Sequence, residues 1–291
     1  MTDPTVTLLS SVDDFWASAG EFLLAREAEH CLIIGLCANL RQGMTYGDAL
    51  PVFAVVSDKG RTQGVAMRTP PHPVTLSEFD SPDAVRLVAR ELSAADPALN
   101  GVSGPAARAA DFAKAWTSIT GASASRVMSL RVHRLEKLNP LPSVPGRMRP
   151  AEPQELGLLA SWAAAFHAEA LGSHDEDPAK IRVGLEGRLA APGGGLVVWE
   201  DGEIVSMAAF GGPTPNGIRI NLVYTPPQLR GRGYASACVG ALSERLLEQG
   251  RRFCFLFTDL ANPTSNKIYA RIGYERVADV DRYDFAARPY R

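Results

Sequence analysis

The sequence predicts a mixed α/β fold, with a mostly antiparallel central sheet flanked by helices, and it predicts two copies of this arrangement. Two hairpin signals support the antiparallel sheet, because the turns Asp58-Lys59-Gly60 and Asp201-Gly202 each separate two apolar, strand-like runs. Segments with helical periodicity lie between the strands. At 291 residues the chain is long enough for two domains of average size.

The first half of the chain contains alternating helical and strand-like segments. Ser81 and Pro82 predict the start of a helix that extends to Ala95, because serine is a good N-cap and proline fits the first helical turn. The other predicted elements of this half are a helical region at 12–42, a hairpin at 52–68, a strand at 99–102, a helix at 105–119 and a strand at 125–135.

A segment rich in proline and glycine, from Leu138 to Gly146, predicts a domain boundary. The same order of elements restarts beyond it, so we expect one domain at 1–138 and a second at 146–291. The predicted elements that follow the boundary are a strand at 146–149, helices at 153–170 and 177–189, and a hairpin formed by 195–200 and 204–211.

Composition limits the classes of partner. The chain carries 30 basic and 32 acidic side chains, a balance that argues against nucleic acid or an anionic membrane as the main partner. Its four cysteines form no C-x-x-C pair, so no zinc site or disulfide framework is predicted and no metal is expected. The N-terminal residues lack the pattern of a signal peptide, and we expect a soluble, cytoplasmic protein.

A glycine-rich turn between a strand and a helix indicates a binding site. The alternating run at 218–224 predicts a strand, and the loop at 228–233 then opens a helix at 234–249. At a helix start the backbone N–H groups have no helical partner, and the helix dipole adds partial positive charge. Arg230 and Arg232 add cationic donors suited to phosphate oxygens, so the turn is typical of a pyrophosphate site.

Two other phosphate-binding motifs fit this turn poorly. A P-loop requires Gly-Lys followed by Ser or Thr, whereas Tyr234 and Ala235 follow Gly233. A Rossmann fingerprint requires a third glycine where Ser236 stands, and it requires further α/β units after the turn. A nucleotide-binding protein of another fold therefore stays as an alternative only.

A second motif follows in the same half of the chain. An apolar strand run at 252–258 leads to a polar loop at 259–266, a helix at 267–271 and then Gly273-Tyr274. Gln-x-x-Gly-x-Gly followed by Asn-Pro-x-Ser-Asn-x-x-Tyr-x-x-x-Gly-Tyr closely resembles the GNAT acyltransferases, and the resemblance covers residues 147–285. It implies a tandem GNAT fold of the bacterial two-domain type, in which the first half is a degenerate copy that binds no CoA.

The resemblance also implies roles for individual residues. Tyr269 would donate a proton to the leaving CoA thiolate, and an N–H of the Leu222–Val223 region would polarise the thioester carbonyl. The main-chain groups expected to pair with the pantetheine arm are those of Leu222, Val223 and Tyr224. The residues expected to hold the pyrophosphate are Arg230, Gly231, Arg232, Gly233, Tyr234, Ala235 and Ser236. The residues expected to contact the cofactor near the pantetheine arm are Asn262 and Asn266, of which Asn266 is also a candidate helix cap.

The general base is left open by the sequence. Many GNAT enzymes carry a glutamate on the strand before the glycine loop, whereas this strand carries Asn221 and no carboxylate. His167 and Glu169 on the helix at 153–170 are candidates. So is the acidic run His174-Asp175-Glu176-Asp177, which would also attract a cationic amine.

The reaction implied by the resemblance is direct transfer of the acetyl group of acetyl-CoA to a primary amine, in a ternary complex. A small-molecule acceptor is expected. Cys238 and Cys254 fall on predicted buried faces, so neither is suited to a covalent intermediate. A non-catalytic acyl-CoA sensor stays as the alternative, because the strand lacks a carboxylate. The identity of the acceptor, the acyl chain and the oligomeric state stay open.

Overall fold

The computed structural model describes residues 4–172, 177–191 and 193–286, and the chain divides into two compact units. The first unit comprises Met1–Val132 together with Val277–Arg291, and the second comprises His133–Arg276. Each unit has the predicted mixed α/β architecture, in which helices flank a mostly antiparallel sheet. No described helix combines the length and the apolar character that crossing a lipid bilayer requires.

The first unit contains a sheet with the strand order β1-β2-β3-β4-β5, in which the pairing of β4 with β5 is parallel and the other pairings are antiparallel. Its elements up to residue 135 are β1 (Thr5–Leu9), α1 (Val12–Leu24), α2 (Cys31–Arg41), β2 (Val52–Asp58), β3 (Arg61–Arg68), β4 (Val74–Leu76), α3 (Pro82–Ala95), β5 (Gly101–Pro105), α4 (Ala106–Thr120) and β6 (Ser123–Leu135), the last of which continues into the second unit.

Local capping explains where two of these helices begin. The Ser81 hydroxyl accepts a hydrogen bond from the Ala84 N–H at 3.2 Å, which confirms the predicted start of α3. The region at 12–42, predicted as one helical run, forms the two helices α1 and α2 instead. Buried His30 stabilises the break between them, because its Nδ1 lies 3.0 Å from the Leu23 carbonyl oxygen.

The second unit contains a sheet with the order β7-β8-β9-β10-β11, in which only β10 and β11 run parallel to each other. Its elements are β7 (Arg147–Pro150), α5 (Leu156–Leu171), α6 (Pro178–Ala190), β8 (Gly195–Asp201), β9 (Glu203–Gly211), β10 (Gly217–Tyr224), α7 (Tyr234–Glu248), β11 (Phe253–Asp259) and α8 (Pro263–Ile272). The predicted hairpin of β8 and β9 is confirmed, with Gly202 at the turn in the left-handed conformation (φ 74°).

The sheet of the second unit is covered by a pair of helices on each face. On one face, α7 and α8 pack against Ile218, Ile220, Cys254 and Leu256 of the two parallel strands. The other face is covered by α5 and α6, whose apolar side chains pack against residues of β8, β9 and β10. Since both faces are buried, the central strands consist largely of apolar residues.

The last strand of the chain, β12 (Glu275–Ala286), contributes most of its length to the first unit. It pairs antiparallel with β5, from Val280 opposite Pro105 to Asp284 opposite Gly101. Asp281 accepts a hydrogen bond from the Ser129 hydroxyl at 2.7 Å. The limits 1–138 and 146–291 stay a prediction about domains, and the two compact units differ from them in the assignment of this strand.

We expect the packing of α7 to dominate the stability of the second unit. Leu242 on α7 is fully buried, so Leu242→Ala removes buried methyl groups and leaves a cavity. The free energy of unfolding should fall by about 2–5 kcal/mol. The matched control is Leu158→Ala on α5, where the side chain is 43% exposed and a change of about 0.5 kcal/mol or less is expected. Urea titration followed by circular dichroism measures both, and equal losses would contradict this account.

Candidate functional site

A β-bulge in β10 lies at the centre of the candidate site. Asn221 pairs with Ala209 and Tyr224 pairs with Met207, so β10 uses one more residue than β9 over this interval. Leu222 lies in the bulge with φ 51°, a left-handed backbone conformation that is uncommon for a residue with a side chain. The bulge therefore re-aims every side chain and peptide group that follows it.

The two parallel strands separate next to this bulge. Their pairing is restricted to Gly217, Ile218 and Arg219, opposite residues 253–255 of β11. Beyond Arg219, within the described residues, β10 has no ladder partner on the β11 side. Main-chain groups that lack a ladder partner can pair with an extended molecule laid along the strand. The predicted pantetheine-binding residues Leu222, Val223 and Tyr224 lie in this separated part of β10.

The glycine loop follows β10 directly and forms the start of α7. Gly231 (φ 79°) and Gly233 (φ 85°) are both in the left-handed conformation, and Gly233 is the N-cap of the helix. The Ala237 N–H donates to the Gly233 carbonyl at 2.9 Å, so the N–H groups of Tyr234, Ala235 and Ser236 lie ahead of the helical ladder. Residues 230–233 are exposed. The loop thus presents backbone donors at the positive end of a helix dipole.

The two arginines of the loop differ in what their side chains contact. The Arg230 guanidinium donates to the Thr225 carbonyl at 2.8 Å and to the Glu169 carboxylate at 2.7 Å, so it is directed toward α5. Arg232 is exposed beside Tyr234, whose hydroxyl donates to Asp201 at 2.6 Å. That hydrogen bond to a carboxylate raises the pKa of Tyr234. Because the Arg230 guanidinium is already engaged with Thr225 and Glu169, Arg232 is the better candidate of the two arginines for contacting a phosphate group.

Glu169 joins α5 to the end of β10. Its carboxylate accepts hydrogen bonds from the Tyr224 hydroxyl at 3.1 Å and from Arg230. Burial and the neighbouring Glu169 carboxylate raise the pKa of Tyr224. Of the candidate bases, Glu169 is thus in contact with the strand that carries the bulge, whereas His167 lies against Phe166 with ring centroids 5.8 Å apart.

The acidic run lies mostly outside the described residues. His174, Asp175 and Glu176 are not described, so the predicted cation-attracting rim stays a prediction. Asp177 is described, and its carboxylate accepts a hydrogen bond from the Ala179 N–H at 2.9 Å as the N-cap of α6. The last member of the run therefore caps a helix.

The second motif forms a network of hydrogen bonds at the end of β11. The Asn262 side chain accepts a hydrogen bond from the Ser265 N–H at 3.0 Å, so Asn262 is the cap of α8, where Asn266 had been a candidate. The helix consequently begins at Pro263, earlier than the predicted 267–271. The Asn266 amide nitrogen donates to the carbonyls of Asp259 at 3.1 Å and Asn262 at 2.9 Å. Both asparagines thus hold the loop in shape.

Two further residues, which no local sequence pattern connects with the site, complete this network. Thr258 donates to the Asn266 side-chain oxygen at 2.6 Å, and its hydroxyl lies 3.0 Å from Nε2 of buried His133. His133 precedes Thr258 by 125 positions, so no local pattern could have linked the two residues. The network anchors the start of α8, which carries Tyr269.

Tyr269 is half-buried on the inner face of α8. Its ring lies 5.9 Å from that of Tyr274, and it packs against the apolar cluster that α7 contributes to. Burial raises the pKa of Tyr269 above the ordinary value of a tyrosine. The phenol is therefore protonated at neutral pH, as a proton donor must be.

The first unit has a related arrangement with different chemistry. Along the chain, α3 lies between the parallel strands β4 and β5, just as α7 lies between the parallel strands β10 and β11. The segment before α3 contains Glu78 and Asp80 and no glycine, in place of the Gly-x-Gly turn. Both carboxylates are ion-paired, Glu78 with Arg108 at 3.8 Å and Asp80 with Arg61 at 3.2 Å. The absence of a CoA site in the first unit stays a prediction.

The comparisons with known proteins agree with this geometry. Residues 159–274 match the model of the acetyltransferase (GNAT) family, and the second unit belongs to the GNAT superfamily. A search of curated protein sequences finds no significant match.

Several solved structures share the fold over almost the whole chain. A Drosophila protein aligns with a TM-score of 0.65 at 13% identity, covering 98% of this chain and 99% of its own. A GCN5-related N-acetyltransferase from Sphaerobacter thermophilus aligns with a TM-score of 0.61 at 15% identity, covering 96% and 95%. A tandem GNAT protein from the clavulanic acid biosynthesis pathway aligns with a TM-score of 0.56 at 14% identity, covering 99% and 100%. These likenesses show the fold, and they include a tandem member.

We expect Asn262 to act as a helix cap. Asn262→Ala removes the acceptor of the Ser265 N–H, and the free energy of unfolding should fall by about 0.5–2 kcal/mol. Asn262→Asp is the matched control, because it keeps an acceptor oxygen at the same place and should retain most of the stability. Chemical denaturation of the three proteins measures the difference. A loss in Asn262→Asp as large as that in Asn262→Ala would show that capping is not the role of this residue.

Proposed function

We propose that the chain transfers the acetyl group of acetyl-CoA directly to a primary amine of a small molecule, in a ternary complex. The observation that carries the proposal is the separation of β10 from β11 immediately before a glycine loop at the start of α7. Membership of the GNAT superfamily supports acyl transfer in general. The choice of acetyl-CoA and of an amine acceptor is the step that this proposal adds.

The described residues fit the successive parts of a CoA thioester. The pyrophosphate is held by backbone N–H groups of 230–236, where unpaired donors and the helix dipole favour an anion. The pantetheine amides pair with the exposed edge of β10, as an added strand would. The bulge at Leu222 directs an N–H of the Leu222–Val223 region to the thioester carbonyl, whose oxygen gains negative charge during transfer.

The chemical step needs one proton acceptor and one proton donor. The amine nitrogen forms a bond to the acetyl carbon while the carbon–sulfur bond breaks, so the amine loses a proton and the sulfur gains one. Glu169 accepts the proton of the amine in this proposal, since its carboxylate contacts Tyr224 on the bulged strand. Tyr269 donates the proton to the thiolate.

Direct transfer is supported by the state of the cysteines. All four cysteines are buried and none forms a disulfide among the described residues, and burial raises the pKa of Cys238 and of Cys254 to about 12. Such thiols are protonated at neutral pH and are therefore poor nucleophiles. Reduced cysteines are also what a cytoplasmic location, which we propose, would maintain.

A non-catalytic acyl-CoA-binding protein is the second candidate. Asn221 occupies the strand position of the usual glutamate, and the Glu169 carboxylate is already engaged in an ion pair with Arg230. A sensor would bind acetyl-CoA and release no free CoA with any amine. Turnover therefore separates the two candidates.

The first test is ligand-induced thermal stabilisation. With acetyl-CoA or CoA at about one hundred times the dissociation constant, stability should rise by about 2.7 kcal/mol, which is several degrees of melting temperature. NAD and ATP should give no such shift. Replacing Gly231 and Gly233 with alanine forces two left-handed positions into strain and should abolish the shift.

The matched control for this test is the pair Gly184→Ala and Gly187→Ala on α6. Both positions are helical, and an added Cβ would meet no atom within 4 Å at either. The control should respond to acetyl-CoA like the unaltered protein. A larger shift with NAD or ATP than with CoA would contradict the proposal.

The second test concerns proton donation by Tyr269. Tyr269→Phe keeps the packing and removes the hydroxyl, so kcat should fall while the Michaelis constant for acetyl-CoA stays constant. Because the raised pKa makes the phenol a weaker acid toward a thiolate of pKa about 8.5, the decrease should be near the lower limit for acid catalysis, about 100-fold.

The pH dependence gives an independent measurement of the same role. Burial raises the pKa of Tyr269, so the protonated phenol persists to alkaline pH. Deprotonation of Tyr269 should therefore cause no decrease in the wild-type rate between about pH 7 and pH 9. Unchanged turnover in Tyr269→Phe across that range would rule out the role.

A further inference from the structure

The strand β10 carries two polar side chains on the face covered by α5 and α6. Ile218 and Ile220 are buried in the cluster that contains α7, so Arg219 and Asn221, which alternate with them, lie on the opposite face. Both polar residues are partly exposed. Asn221 directly precedes Leu222, where the bulge lies, and Arg219 lies two positions before Asn221.

A second arginine reaches this face from α6. The Arg188 guanidinium donates to the Asn221 side-chain oxygen at 3.0 Å. A Cβ built on Gly211 would lie 3.7 Å from Arg188 Nη1, and Gly211 is the residue of β9 that pairs with Arg219. Because paired residues project to the same face, Arg188 and Arg219 belong to one patch, and Gly211 leaves space in that patch.

The charge of Arg219 lacks a partner in this patch. Its Nη1 is shielded from solvent, and no described residue accepts a hydrogen bond from it. Arg219 also forms no ion pair with a carboxylate among the described residues. An ionised donor without an acceptor is unfavourable in a shielded position, and the planar guanidinium is suited to a carboxylate or phosphate. An anionic group would supply the acceptor that Nη1 of Arg219 lacks among the described residues.

We propose that Arg219, with Arg188 beside it, binds an anionic group of the acceptor, so that the acceptor is an amine that also carries a carboxylate or a phosphate. This inference rests on the proposed acetyl transfer to an amine. Leu222 lies three positions after Arg219, which is roughly 10 Å along a strand. A small molecule anchored at Arg219 presents its amine toward the bulge within that distance.

The experiment measures acceptor selectivity with saturating acetyl-CoA. The probes are a panel of α- and ω-amino acids, each compared with its amide and its decarboxylated amine, and phosphoethanolamine compared with ethanolamine. The best anionic acceptor should exceed its neutral counterpart in kcat/KM by about tenfold to one-hundredfold. The amino acid and phosphate pairs distinguish the two sources of the anion.

The variants test which side chain confers this selectivity. Arg219→Gln should raise KM for the anionic acceptor by about tenfold or more and remove its advantage over the neutral counterpart. Arg219→Lys keeps the charge without the planar fork and should lie between the two. Arg182→Gln is the matched control, since Arg182 is an exposed residue of α6 paired with Glu186. Melting curves establish that each variant is folded, and Arg188→Gln gives a second test of the patch.

The outcomes separate this inference from the proposed function. Failure to bind acetyl-CoA would overturn both. Binding of acetyl-CoA with equal or better use of neutral and cationic amines would overturn the inference and leave the proposed function intact. So would carboxylate selectivity that survives in Arg219→Gln. If no amine is acetylated, the dissociation constants of the same probes are measured with the CoA-bound protein. Equal dissociation constants for the wild type and Arg219→Gln would overturn the inference.

Discussion

The single extra residue in β10 is the constraint on which the site depends. Without it, the strand would present the same two faces along its whole length. With it, Ile218 and Ile220 pack toward α7, whereas Leu222 and Tyr224 pack toward α5 and α6. The apolar residues on both sides of the bulge remain buried, so the irregular backbone at Leu222 is stabilised by two cores at once. The irregular backbone is thereby held by rigid elements on both faces of the sheet.

Both ends of the separated strand pair are held by polar contacts. Glu169 links α5 to Tyr224 and to Arg230, which fixes the exit of β10 into the glycine loop. At the end of β11, Thr258 and Asn266 hold the loop that starts α8. Side chains that lock the supporting backbone allow a site to keep its geometry before any ligand arrives.

Local rules predicted the parts of this structure that depend on neighbours in sequence. The Asp201-Gly202 turn, the cap of α3 and the helix after Gly233 are such parts. The bulge could not be predicted from the sequence, because it is defined by the pairing of β10 with β9 and has no local sequence pattern. The contact between Arg188 and Asn221 joins residues on separate elements for the same reason. The site residues named from the family resemblance stay a prediction, and contacts between residues distant in sequence determine the geometry around them.

The membership of β12 in the first unit has a consequence for synthesis of the chain. Residues 4–132 are synthesised well before Val277, so β5 lacks its partner β12 until that strand has also been made. The edge of β5 presents unpaired backbone groups during that interval. The second unit, which is one continuous segment, can complete its own sheet earlier. The first unit therefore receives its last strand only after the whole of the second unit has been synthesised.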